Sequence, residues 1–189
     1  MPTTANKIKY GISRCYYAVK GQDGSYGTPV ALPGAVNLSL APQGELYEFY
    51  ADNIKYYRNP VNNGYSGNLE LALIPDHFLQ AVFQNSLDST DNVLVEQVQN
   101  AAVEFALGFQ VEGDQDSPRF WIYNCVATRP EISGSTKEDS VEAQTETVTI
   151  SSSPTENGTV RARTTKDTPT ATYDGWFSEV WEPTTPVTT

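Results

Sequence analysis

From Glu104 to Glu112 the chain alternates with a period of two. Phe105, Leu107, Phe109 and Val111 share one face, and Glu104, Ala106, Gly108, Gln110 and Glu112 share the other. A helix would scatter the four large apolar side chains around its circumference, whereas a strand collects them on one side. Burying four such side chains contributes about 1.5–3 kcal/mol each, so this segment reads as a strand with a core side. The next run, 119–129, is apolar on both faces, with Phe120, Ile122 and Val126 against Trp121, Tyr123 and Cys125. That pattern suits the middle of a sheet or an interface. Between the two runs, Gly113-Asp114-Gln115-Asp116-Ser117-Pro118 reads as a loop joining antiparallel strands.

Strand-like segments recur along the chain. Residues 7–20 place Ile8, Tyr10 and Ile12 on one face. Val36, Leu38 and Leu40 alternate with Asn37 and Ser39, and Leu69, Leu71 and Leu73 share a face. The stretch 45–57 is dense in Tyr and Phe. Val148 and Ile150 lie amid Thr and Ser in 145–152, and Asn157-Gly158 separates this run from 159–164. Asn-Gly accepts the positive φ angles of a tight turn, which predicts a hairpin between the two runs.

One short helix is predicted near 76–83. Asp76 is its expected N-cap, and Phe78, Leu79, Val82 and Phe83 fall on one face. Residues 92–103 fit helix or strand equally. Segments 20–30 and 131–140 read as loops, and the chain from Pro183 holds only Pro, Thr and Val. The expected class is mainly β: an antiparallel β-sandwich over 1–182 with an N-terminal arm, extended loops and a flexible tail over 183–189.

The 189 residues carry a formal charge of −11. Nucleic-acid binding by phosphate neutralisation needs clustered Lys and Arg, so this balance argues against it. Cys15 and Cys125 lie in strand-like runs and read as buried thiols, with a disulfide left open. No targeting segment and no apolar run of membrane-spanning length is present, so a cytoplasmic site of synthesis is expected.

Catalytic constellations are missing. His77 is the sole histidine, so any nucleophile–histidine scheme must use it, and it falls at the positive end of the predicted helix. There is no phosphate-binding glycine loop, nucleophile elbow or metalloprotease helix. Glu138, Asp139, Glu142 and Glu146 concentrate acid beside Lys137, without the ligand spacing of a calcium loop. No catalytic residue, metal site or cofactor is expected, and the chain is not expected to be an enzyme. Tyr47, Phe49, Tyr50, Tyr56, Tyr57 and Tyr65 suit a core or a subunit interface. The alternative is a sugar-stacking platform, which would make the chain a carbohydrate-binding β-sandwich module.

Several segments in order resemble the major tail protein family of long-tailed temperate bacteriophages, of siphovirus type. They include Lys7-Ile8-Lys9-Tyr10-Gly11-Ile12, Tyr26-Gly27-Thr28-Pro29-Val30 through Val36, and Phe49-Tyr50-Ala51-Asp52-Asn53. Asn63-Gly64-Tyr65-Ser66-Gly67-Asn68, Tyr123-Asn124-Cys125, Ala127-Thr128-Arg129-Pro130 and Ser135-Thr136-Lys137-Glu138-Asp139-Ser140 continue the likeness. The resemblance implies a tail-tube fold whose subunits form hexameric rings, stacked into a tube that conducts the genome. It also implies tail-tip, tape-measure and tail-terminator proteins as partners, DNA that passes without specific binding, no membrane insertion, and a place in the virion after assembly in the host cytoplasm. On that basis strand 141–152 is expected to line the lumen, with Glu142 and Glu146 as ring acids. Asp23 and Tyr26 in one loop, and Lys137, Glu138 and Asp139 in another, are expected at contacts between subunits or rings.

Overall fold

The fold starts from the strand pair that the alternation marks. The computed structural model describes residues 7–114, 116–134, 136 and 144–184. Its strands are β1 (Lys7–Val19), β2 (Val30–Ala31), β3 (Ala35–Gln43), β4 (Leu46–Ala51), β5 (Ile54–Pro60) and β6 (Gly64–Leu71). After helix α1 (Asp76–Phe83) come β7 (Ser86–Leu87), β8 (Leu94–Val95), β9 (Phe105–Asp114), β10 (Arg119–Ala127), β11 (Glu146–Ser152) and β12 (Arg161–Arg163), then helix α2 (Thr170–Asp174). The fold is mainly β, and its large sheet runs β2-β1-β9-β10-β11-β6-β3 with every pair antiparallel. β1 and β3 come back beside each other without pairing, so the sheet closes over a core in a sandwich-like way.

That core is the alternation made physical. Phe105 and Leu107 of β9 are fully buried, with Leu69 and Leu71 of β6 and Val148 and Ile150 of β11. Helix α1 fills the interior. Its Phe78 meets the rings of Tyr17, Phe83 and Phe105 edge-on at 5.0, 6.0 and 5.8 Å. The helix is where the sequence places it, but its N-cap position is Pro75, which offers no side-chain cap, and Asp76 sits in the first turn. β6 stops at Leu71, so Leu73 is exposed rather than aligned with Leu69. Residues 92–103 form mostly loop, with Leu94–Val95 pairing to Ser86–Leu87.

Two expectations fail for identifiable reasons. Asn124 adopts φ +45°, and the β9–β10 register shifts there. A bulge adds one residue and flips the parity that follows. Cys125 therefore joins Phe120 and Ile122 in the core, while Val126 faces out. The second concerns Asn157-Gly158. The tight turn forms, with Gly158 at φ +75° and Thr155 and Thr159 hydrogen-bonded across it. It does not close a hairpin. β11 pairs with Cys125–Ala127 and β12 with Phe120–Ile122, so both lie in line along β10 with an excursion between them.

A second cluster covers the opposite face of the sheet. Trp121 and Tyr123 are buried there against Ala106, Trp176, Phe177 and Val180. Gly108 makes this possible, because a Cβ at that position would lie 2.6 Å from the Trp121 ring. Arg119 spans the same face: its Nε donates to Gln110 Oε1 at 2.9 Å, and its guanidinium lies 3.8 Å from the Tyr173 ring centre. The two-faced apolar strand is thus a central strand, and its second face is covered by the chain's own C-terminal segment.

Candidate assembly surfaces

The β3–β6 ladder does not end with the sheet. Asn63 N–H donates to Gln43 carbonyl and Val61 N–H to Glu45 carbonyl, and Leu46 then pairs with Pro60. β3–β4 and β5–β6 therefore make one long ribbon. Gly44 permits it, since a Cβ there would strike the Val61 carbonyl oxygen. At the tip, Asp52 and Asn53 both take positive φ, 52° and 61°, as a two-residue reverse turn requires. β4 and β5 pack on each other and form no layer with the rest of the sheet.

The aromatic stretch thus leaves the core altogether. Tyr47, Phe49, Tyr50, Ile54, Tyr56 and Tyr57 are all roughly half exposed or more, Tyr56 at 74%. Glu48 braces the hairpin from within: Lys55 Nζ donates to its Oε1 at 2.6 Å and Tyr50 hydroxyl to its Oε2 at 3.0 Å. The Lys55 hydrogen bond is the main reason that the Glu48 carboxyl sits below its ordinary range. Burial of aromatic surface normally drives folding; here a large apolar area is built and left uncovered, which marks an interaction surface.

A different surface covers the outer face of β3, β6 and β11. Asn37, Ser39 and Ala41 stand beside Ser66, Asn68 and Glu70, which stand beside Thr147, Thr149 and Ser151. Their inward neighbours are the core residues Leu38, Leu69 and Val148. Thr149 hydroxyl bonds Asn68 Oδ1 at 3.0 Å, and Thr145 hydroxyl donates to Glu70 Oε1 at 2.6 Å. The patch is small-residued and polar, and Glu70 is its one charge among the nine.

The structure separates the residues singled out from the sequence. Glu142, Lys137, Glu138 and Asp139 lie outside the described residues. Glu146 shares the inward side of β11 with Val148 and Ile150, and its Oε2 accepts from Ile74 N–H at 2.7 Å. Its carboxylate serves that backbone group, while Thr147, Thr149 and Ser151 face out. Asp23 is exposed and holds a local turn by accepting from Ser25 N–H at 3.1 Å and from its hydroxyl at 2.8 Å. Tyr26 is turned onto its own sheet: its hydroxyl donates to Asn124 Oδ1 at 2.9 Å and accepts from Asn124 N–H at 3.1 Å. Burial pushes its phenol up to about 12. Cys15 and Cys125 are free, buried thiols, both pushed up to about 12 by burial.

His77 is placed beside Tyr17, whose hydroxyl lies 2.9 Å from Nδ1 and stacks its ring on the imidazole. Among the described residues, no group of three or more His, Cys, Asp and Glu side chains is placed to hold a metal ion. No helix among them is long and apolar enough to cross a membrane.

No family model matches the chain, and no curated protein matches it. Solved structures show a loose likeness. The tube-terminating cap of the anti-feeding prophage is 14% identical, with a TM-score of 0.43 over 87% of this chain and 99% of that one. The baseplate of the anti-feeding prophage gives 8% identity and a TM-score of 0.43 over 85% and 99%. The PVC sheath–tube complex of an extracellular contractile injection system, in its extended state, gives 10% and 0.39 over 83% and 93%. The description of the fold and of its surfaces rests on the chain's own sheet.

Proposed function

We propose that this chain is a structural subunit of a phage tail tube, which forms hexameric rings that stack and conduct the viral genome. The observation that carries the reading is the ribbon. It extends from the β3–β6 ladder and presents an aromatic hairpin that its own sheet leaves uncovered. A contact made by one end of a subunit on a different surface of the next does not close on itself, and so propagates into a filament. The order and number of segments resembling the major tail proteins support the same reading, as do the sheet edges of β3 and β12, which closing a ring would cover.

In this reading the outer face of β3, β6 and β11 lines the bore. Small hydroxyl and amide side chains keep such a wall wet. An acidic chain with no Lys or Arg in this patch gives phosphate nothing to hold. The tail tip, tape-measure and terminator proteins are the expected partners at the two ends and in the lumen, and the virion is the expected location. The carrier role asks no chemistry of the subunit, so we read it as a non-enzyme.

Negative-stain microscopy of the purified chain over a wide concentration range tests this. Rings or hollow tubes of constant diameter are the expected result. A chain that stays monomeric at every concentration and salt condition overturns the proposal.

A further inference from the structure

β1 and β3 leave a trough where the sheet fails to pair with itself. Along it, Gly11, Ile12, Val36, Leu38, Phe109 and Val111 enclose about 370 Å³. Farther along the same two segments a second cavity of about 330 Å³ opens, with Arg14 in its wall. Val36 is half exposed at the edge of the trough, with Ile12, Leu38 and Val111 partly buried behind it. Arg14 sits at an irregularity of β1 with φ +50°. It is exposed, and its side chain makes no ion pair or hydrogen bond among the described residues, although its charge helps lower the Glu112 carboxyl.

We infer that this trough receives the hairpin tip of the next copy of the chain, an inference that rests on the stacking-subunit reading. The two surfaces are complementary in kind. Tyr50 and Ile54 flank the tip turn and are more than half exposed, while the trough is apolar and open. They are also complementary in charge. Asp52 stands in the tip turn with no side-chain partner among the described residues, and Arg14 stands in the trough wall.

Position separates the two surfaces within one subunit. Val36 begins β3 and the hairpin follows its end at Gln43. At ~3.3 Å per residue those two ends lie about 23 Å apart, and the hairpin adds about 20 Å beyond. One subunit therefore carries the plug and the socket at opposite ends of the same strand. A contact of that type is head-to-tail, so each copy takes one neighbour in its trough and enters the trough of another.

Cysteine chemistry gives a direct test, because both native thiols are buried. Val36→Cys and Ile54→Cys are combined in one chain, assembled, mildly oxidised and run on a non-reducing gel. The inference expects a ladder of covalent multimers from the double variant and none from either single variant. In parallel, Arg14→Asp and Asp52→Arg should each lower the extent of assembly roughly tenfold or more through like-charge contact, and the combined swap should restore it. Tubes that form without a ladder, or a swap that restores nothing, place the hairpin elsewhere and leave the tube reading standing. An unmodified chain that never assembles overturns both.

Discussion

The indole N–H of Trp121 donates to the main-chain carbonyl of Trp176 at 3.0 Å. This bond ties the centre of the sheet to a segment 55 residues later in the chain. The same segment stacks Trp176 on Trp181 at 5.9 Å, and the Trp181 carbonyl accepts from the Tyr123 hydroxyl. The C-terminal residues thus act as the second layer over β9 and β10. Trp176→Ala should cost about 3–5 kcal/mol, the usual loss for emptying a buried aromatic site. Urea unfolding followed by Trp fluorescence measures this, and an unchanged midpoint would show that the layer is only draped on the sheet.

Gly108 sets how closely that layer can sit. Its Cβ would lie 2.6 Å from the Trp121 ring, so Gly108→Ala should destabilise by about 1–3 kcal/mol through overpacking. Trp121→Phe in the same chain should relieve part of this cost. A double-mutant cycle reports the coupling, and simple additivity would mean that the ring moves aside freely.

Acid sensitivity should run through Glu112. Its carboxyl is held below the ordinary 4.5, first by the Ser13 hydroxyl, against the opposing effect of burial, and then by the Gln110 amide and the charges of Arg14 and Arg119. A folded value below the unfolded one means that the stabilisation is complete above about 4.5 and is lost as pH falls through the folded value. Glu112→Gln should therefore show a flatter dependence of unfolding midpoint on pH below 4.5 than the unmodified chain. Parallel curves would remove Glu112 from the acid response.

The proposed bore face is open to a charge test. Ser39→Lys, Asn68→Lys and Thr149→Lys add three cations per subunit to exposed or partly exposed positions of β3, β6 and β11, without touching the core. Surface changes of this kind usually move stability by less than about 0.5 kcal/mol, so tubes should still form. Particles carrying them should release DNA more slowly, and more so at low salt, because the phosphates now meet counter-charge. Release at the unmodified rate would put this face outside the bore.

What could be read from the sequence is what local side-chain period controls. β9, the two-faced β10 and helix α1 were all legible because each pattern repeats over neighbouring residues. The bulge at Asn124 was not, since one residue at positive φ reverses parity without changing composition. The Asn157-Gly158 turn was legible as a turn, but β10 is the partner of both flanking segments, and that choice is made by residues far away in the chain. Aromatic density in 45–57 could not distinguish a core strand from an uncovered hairpin, because both use the same side chains. Glu146 is different: its parity with Val148 and Ile150 was visible, and it places the carboxylate inward. The C-terminal cover was hidden by a composition rich in Thr and Pro, in which Trp176, Phe177 and Trp181 are the anchors.

The ribbon also has a mechanical meaning. Its hydrogen-bonded ladder is continuous from the Asp52-Asn53 turn through β3 and β6, and β6 passes it on to β11. A pull on the tip acts along the strands, so the ladder bonds are loaded together in shear and not opened one after another like a zipper. A tube joined at such tips would stretch and bend as a cable does, with tension carried by backbone and with side chains setting only where the strands are gripped.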